Sequence, residues 1–322
     1  MMDAAVVTAC GRPPVVERRE PPRPGDGQVR VRVAAAPITP LDVLCATGTS
    51  YFGTPATPYV PGVQGVGHLD DGTPVWFATP AGMRPGDGSM AGYCVVPDAD
   101  VVALPDGVDT ILAALGLSAV AALMALTWRG ELSPGEQVVI LGAGGVVGQA
   151  AVQLARLHGA RRVVAAARSA AARERARLLG ADAVVTLTDT DDVDTLAGWL
   201  VDACDGPADV VLDPLFGVPA AAALRTLAPR GRLVNLGSSA GEQAPFDSAT
   251  LRSRSLRILG YTNNELAPAR RAQAIREIAG HVAAGRLAAT HETVPLAEVA
   301  DAWTRQADGR AAGRIVLTMP RR

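Results

Sequence analysis

Four glycines, Gly142, Gly144, Gly145 and Gly148, follow directly on the apolar run at 138–141. Their spacing is G-x-x-G-x-x-G through Gly142, Gly145 and Gly148. Val147 stands where the strict G-x-G-x-x-G pattern asks for its third glycine. A backbone without Cβ atoms lets a negatively charged group come close, and the amides of a following helix carry partial positive charge towards it. Val146 and Val147 open that helix, so they join the glycines as candidate cofactor-binding residues. The chemistry is the seating of a dinucleotide pyrophosphate; the plainer alternative is a strand–helix turn without ligand.

The end of the next apolar run selects the cofactor. A carboxylate there would accept hydrogen bonds from a ribose 2′-hydroxyl and repel a 2′-phosphate. This chain offers Ala167, Arg168, Ser169 and, one helical turn on, Arg173, with no carboxylate between Gly159 and Glu174. An arginine fork and a serine hydroxyl both donate to phosphate. The pattern favours NADPH over NADH, unless the two arginines are ordinary surface residues.

These residues need a scaffold. Val146, Val147, Ala150, Ala151, Leu154 and Leu157 recur at helical spacing after the glycines. From about residue 111 helical and β-branched segments alternate, with strands expected at 138–141, 162–167, 183–187, 209–213, 232–237 and 256–260. Six such strands with intervening helices make an α/β doubly wound parallel sheet. The earlier chain differs. Residues 28–35 alternate strictly, and 72–78 and 92–97 read as further β segments in an all-β region running to about Val108. The tail offers a helix at 268–285, a shorter one from Leu296 and a strand at 314–317.

Composition excludes several classes. A chain of 322 residues suits two domains. A net charge of −2 gives no electrostatic footprint for nucleic acid or an anionic membrane, leaving a small-molecule substrate as the expected partner. Cys10, Cys45, Cys94 and Cys204 form no C-x-x-C pair, which fits reduced thiols in a cytoplasm. No secretory signal is read, and the uncharged run 111–128, rich in alanine, is expected to be a buried helix and not a membrane span. Every basic residue among the Lys+Arg total of 30 is arginine, which removes Schiff-base lysines and phosphate-loop lysines.

The strings AAAPITPLDV (34–43), YVPGVQGVG (59–67), GSMAGYCVVP (88–97), LSPGEQVVILGAGGVVGQAAVQLA (132–155) and LGADAVV (179–185), with the closing GRIVL, span essentially the whole chain. In this the sequence resembles the medium-chain dehydrogenase/reductase superfamily, and within it the zinc-independent quinone oxidoreductase-like branch. The resemblance implies a GroES-like β-rich catalytic domain (1–112 with 263–322), a Rossmann NADP-binding domain with a six-stranded sheet (113–262), and a homodimer formed through the last Rossmann strand. Zinc-dependent relatives carry cysteine, histidine and glutamate where this chain has Thr39, Val63 and Gln64, and their cysteine-rich zinc lobe is missing. Thr39 and Val63 cannot replace thiolate and imidazole, and His68 with Cys45 alone does not make a site; no metal is expected.

The same resemblance suggests catalytic candidates, each with a structural alternative. Thr39 falls where relatives carry an asparagine near the nicotinamide, yet Thr39-Pro40-Leu41-Asp42 also reads as a capping box. Tyr51 lies one residue beyond a tyrosine common in the branch, and is either a hydroxyl near the hydride acceptor or a rim tyrosine. Leu44, Ala46 and Ala121 replace a tyrosine, an arginine and a threonine of relatives. Ser118 donates either to the cofactor or to its own helix carbonyl. Leu215, Gly237, Ser238 and Tyr261, at the carboxyl edge of the sheet, complete the cofactor set. Phe216 and Thr262 lie beside them. Tyr59, Trp76, Phe77 and Met83 either wall a substrate pocket or belong to the core.

Without a Lewis acid, hydride is most easily delivered to an acceptor that stabilises negative charge by itself. The expected activity is NADPH-dependent reduction of a quinone or activated enone, with the protein supplying proximity and orientation. Two alternatives stay open: a reductase of an enoyl thioester or biosynthetic enone, and a non-catalytic NADPH-binding protein.

Overall fold

The computed structural model describes residues 1–107 and 109–320. Val108, where the all-β region was expected to end, and the terminal Arg321 and Arg322 lie outside the described residues. The chain forms two compact units, 1–116 with 267–322, and 117–266. These breaks fall slightly later than the expected 112/113 and 262/263.

The first unit opens with β1 (Met2–Val6) paired antiparallel to β2 (Val15–Arg19). β3 (Gln28–Pro37) is the alternating segment, and its inward Val31 and Val33 are buried. α1 (Pro40–Thr47) follows; Thr39 caps it, Pro40 supplies a pre-set φ, and Gly48 ends it in the left-handed conformation at φ 77. Next come β4 (Gln64–His68), β5 (Pro74–Ala78), β6 (Tyr93–Pro97) and β7 (Val101–Ala103). The expected strands at 72–78 and 92–97 thus start later, at Pro74 and Tyr93. β1, β2, β4 and β7 were not anticipated. They are three to five residues long, and β4 carries two glycines in QGVGH, so none shows a readable period.

α2 (Asp109–Met124) passes from one unit to the other and continues as a π-helical turn, Ala125–Arg129. By length and composition alone this segment could cross a membrane. However, it is 67% buried and broken at Gly116 (φ 29, ψ −123).

The second unit alternates strand and helix: β8 (Gln137–Ile140), α3 (Val146–Leu157), β9 (Arg162–Ala167), α4 (Ala170–Leu178), β10 (Ala183–Thr186), α5 (Val193–Ala203), β11 (Ala208–Asp213), α6 (Gly217–Leu224), β12 (Leu227–Asn235), α7 (Ser248–Arg254) and β13 (Arg257–Gly260). Among the described residues the order is β10-β9-β8-β11-β12-β13, parallel throughout. This is the expected doubly wound six-stranded sheet. All four residues of β8 are buried, as a central strand covered on both faces requires. The order reverses between β8 and β11, and ligands of such sheets bind at the carboxyl ends of the strands flanking that point.

The chain then returns to the first unit with α8 (Pro268–Ala283), β14 (His291–Pro295), α9 (Val299–Ala307) and β15 (Arg314–Thr318). β15 pairs with β3, and β14 extends the sheet to the order β14-β15-β3-β4-β5-β7, with β6 also on β3. β14, HETVP, is mostly polar and was not anticipated. Each unit has its own apolar core. Val31, Phe77, Met90, Trp303 and Ile315 belong to the first, and Leu141, Val164, Leu196 and Leu233 to the second. Each such side chain contributes about 1.5–3 kcal/mol on burial.

Candidate functional site

The glycine turn is built by elimination of side chains. Leu141 donates its amide to Leu212 (3.0 Å) and Ala143 to Ala166 (2.9 Å), so the turn is anchored to β11 and β9. Gly142 has φ +64, and a Cβ there would stand 3.0–3.1 Å from the side chains of Pro214 and Leu215. A Cβ on Gly148 would be 2.4 Å from the Gly142 carbonyl oxygen, so α3 can approach the turn only with glycine there. Gly144 faces α4 less tightly, with Ala172 Cβ at 3.0 Å from the position a Cβ would take.

Gly145 differs from these three. It caps α3 at φ −76, ψ 163, which any residue adopts, and a Cβ there would meet only the Gly142 oxygen at an ordinary 3.6 Å. The turn itself therefore does not need this glycine. Beside it, the first-turn amides of Val146, Val147 and Gly148 lack intrahelical acceptors, as at every helix N-terminus.

At the end of β9, Ala167 is buried and Ser169 caps α4, its Oγ accepting from the Ala172 amide at 3.1 Å. Arg168 is exposed and 3.7 Å from the equally exposed Asp189, a pair worth about 0–1 kcal/mol and readily exchanged for a stronger anion. Arg173 turns back on the strand end, donating to the carbonyls of Ala167 (3.4 Å) and Arg168. Both guanidinium groups thus lie at the end of β9, where the sequence places the choice of cofactor as an expectation.

Further along the same sheet edge, Asp213 is fully buried. Its Oδ1 accepts from the Leu215 (3.0 Å) and Phe216 (2.8 Å) amides, and its Oδ2 from Asn235 Nδ2 (2.9 Å). Burial raises its carboxyl above the usual range; the Phe216 amide, Asn235 and the Leu215 amide act against this. Phe216 sits at φ 58, ψ −157, a region L residues avoid at a cost of about 1–3 kcal/mol. Leu215 is half-buried against the Gly142 turn, and Gly237 approaches so closely that a Cβ would lie 2.8 Å from the Pro214 oxygen. Ser238 donates to Glu242 (2.6 Å). Tyr261 is buried, its hydroxyl on Asn263 Oδ1 (2.7 Å) and its ring edge-on to Trp128. Asn263 Nδ2 in turn donates to the Leu117 carbonyl (2.9 Å), next to the half-buried Ser118.

In the first unit the Thr39–Asp42 capping box forms as read. Thr39 Oγ1 accepts the Asp42 amide (3.1 Å), and Asp42 Oδ2 accepts from the Thr39 amide (2.8 Å) and hydroxyl (2.6 Å). Asp42 Oδ1 also accepts the amides of Gly62 (3.1 Å) and Val63 (2.9 Å). Burial pushes this carboxyl up, while Thr39, Val63 and the buried Arg314 pull it back. Arg314 is itself lowered to about 10 by burial and donates to the Ile38 carbonyl (2.9 Å). Asp42 is thus a structural tie between α1 and the 62–63 segment. Tyr51 is 78% exposed beside Phe52. Of the possible pocket walls, Trp76 and Phe77 have no exposed surface and Tyr59 is buried, which places these three in the core, whereas Met83 is only half-buried.

The residues do not fit a zinc ion. Gln64 is buried and receives the Trp76 indole N–H (3.1 Å). Among the described residues no group of three His, Cys, Asp or Glu side chains could hold a metal.

Residues 146–280 match the family described as zinc-binding dehydrogenase. The bovine quinone oxidoreductase-like protein 2 is 30% identical over 263 residues, 80% of this chain and 74% of that protein. The chain belongs to the medium-chain dehydrogenase/reductase superfamily, in its quinone oxidoreductase-like branch. It is also similar to the quinone oxidoreductase from Thermus thermophilus, solved alone and in complex with NADPH. The TM-score is 0.80 at 28% identity, covering 98% of this chain and 100% of that one. A third relative is a phenolphthiocerol/phthiocerol polyketide synthase subunit of Mycobacterium tuberculosis, 35% identical over 317 residues and 92% of this chain. The chain spans 14% of the length of that protein.

Of the residues expected to bind a cofactor, all but Thr39 lie in the second unit, 117–266. Thr39 and Tyr51 belong to the other unit. Sequence reasoning missed Asp213, Asn235 and Asn263. The signal present was a carboxylate ending an apolar strand directly before Pro214, with an asparagine ending the next strand.

Proposed function

We propose that this medium-chain reductase is zinc-independent and transfers hydride from NADPH to a quinone or an activated enone. The observation that carries the reading is Gly145, a glycine the turn does not require, set at the N-terminus of α3 with Arg168, Ser169 and Arg173 at the end of the neighbouring strand. Gly142, Gly145, Gly148 and the amides of Val146 and Val147 would hold the pyrophosphate. Ser169 and the two arginines would hold a 2′-phosphate. The bound cofactor supplies hydride; the chain's own residues supply orientation. Thr39 already commits its hydroxyl to Asp42, which supports proton delivery from solvent or from the exposed Tyr51.

A second reading, reduction of an enoyl thioester or biosynthetic enone, is favoured by the similarity to a polyketide synthase subunit over 92% of this chain. Loss of NADPH absorbance is the test, using chelator-treated protein with a panel of quinones, enones and enoyl thioesters. Turnover of quinones supports the first reading and preference for thioesters the second. Tight NADPH binding without turnover of any acceptor would make the chain a non-catalytic NADPH-binding protein.

A homodimer is proposed through β13, which ends the six-stranded sheet and leaves Ile258 38% exposed. Light scattering at one chain mass would refute it. A cytoplasmic location is proposed from four cysteines that are unbridged in the structure.

A further inference from the structure

We propose that Asp213 and Asn235 are a positioning pair that sets where the reactive end of bound NADPH lies, although neither is expected to touch the reacting atoms. This rests on the NADPH reading above. The side chains of the pair connect the loops after β11 and β12, and the Asn235 main chain continues the connection to the loop after β13. Asp213 Oδ1 gathers the Leu215 and Phe216 amides (3.0 and 2.8 Å), holding the 214–216 turn against Gly142. Its Oδ2 receives Asn235 Nδ2 (2.9 Å), and that same nitrogen donates to the Gly237 carbonyl (2.7 Å). The Asn235 carbonyl accepts the Tyr261 amide (2.9 Å), so the loop after β13 is registered to the same point.

Two features argue that position, and not bulk stability alone, is what the pair secures. Phe216 is held at a backbone conformation that an L residue leaves unless its neighbours over-determine it, and the Asp213 oxygen takes the amide of Phe216 itself. The two loops are also locked to each other independently. The Ala240 amide donates to Leu215 O (2.8 Å), and Gly237 packs on Pro214 without room for a side chain. A displacement of either loop is therefore passed to the other. The loops so registered carry Leu215, Gly237, Ser238 and Tyr261, the residues expected from the sequence to complete the cofactor set.

Asn235→Ala removes the link while leaving both turn amides on Asp213. Asp213→Asn keeps the shape but sets an amide N–H₂ against a donor on one side or the other. NADPH affinity is read by fluorescence titration, and the ring's surroundings by the emission of the bound nicotinamide. kcat and KM with a quinone and the melting midpoint complete the measurements. The expected result for either variant is a 5–20-fold weaker NADPH affinity, a changed bound-state emission, and a kcat lowered at least tenfold with little change in quinone KM. A variant with unchanged affinity and bound-state emission, whatever its melting point, overturns the proposal. Failure of the unaltered chain to bind NADPH would instead overturn the reading beneath it.

Discussion

Gly145→Ala separates a phosphate cradle from an ordinary turn. At φ −76, ψ 163 alanine is unstrained, and its methyl would meet only the Gly142 oxygen at 3.6 Å. The fold should therefore keep its stability to within about 0.5 kcal/mol, with a small gain possible from the reduced freedom of the unfolded chain. A pyrophosphate seated on the α3 amides meets a different situation. The added methyl occupies space beside the helix N-terminus and pushes the anion outwards. Loss of one charge-assisted hydrogen bond costs about 1.5–3 kcal/mol, equivalent to roughly 10–150-fold in dissociation constant. Gly148→Ala is the contrasting control. Its methyl would stand 2.4 Å from the Gly142 oxygen and 2.6 Å from Ala143 Cα, backbone atoms that cannot yield without moving the turn. That variant should lose about 1–3 kcal/mol of stability as well as affinity. Calorimetric titration with NADPH and chemical denaturation, run on both variants, give the two quantities. A Gly145→Ala protein of unchanged stability that binds NADPH as tightly as the parent would refute the cradle.

Replacing Arg168 and Arg173 together by alanine should weaken NADPH at least tenfold and leave NADH within about twofold, since only a 2′-phosphate uses the two forks; equal losses for both cofactors would place the arginines elsewhere. Glu136 holds the nearly buried Arg232 through paired 2.8 Å hydrogen bonds. Burial alone would raise its carboxyl, but Arg232 and the Ser133 amide outweigh burial and hold it below the usual 4.5. A depressed carboxyl stabilises the fold above about pH 4.5, and that contribution disappears as pH falls through the lowered value. Glu136→Gln should cost about 3 kcal/mol at pH 7 and flatten the acid limb of stability against pH; an acid limb identical to the parent's would contradict it. Thr39→Ala removes the α1 cap and one of the bonds to Asp42 and should cost about 1–2 kcal/mol in denaturant unfolding, with Thr39→Ser restoring most of it.

How far the chain could be read beforehand follows from where each signal resides. β8, α3 and β9 announce themselves because a parallel strand buried on both faces is uniformly apolar and an amphipathic helix keeps its period over twelve residues. The Thr39 cap was legible for a similar reason, since donor and acceptor lie three residues apart on one turn. The short strands of the first unit were not legible. In β4 glycine alternates with Gln64, Val66 and His68 because its neighbours press on both sides, Gly65 against Phe77 and Gly67 against the Arg32 carbonyl, and that pressure exists only after folding. Asp213 and Asn235 show the same limit at the candidate site. They are 22 residues apart, each ends a strand as many polar residues do, and their meaning depends on β11 and β12 being neighbours in parallel register. The strand order that brings them together was legible as a class of fold; the hydrogen bond between them was not. Local period thus gives the scaffold and the glycine turn. The groups that register one loop against the next become visible only when the sheet is assembled, and substitution of such groups is where activity and stability are expected to part.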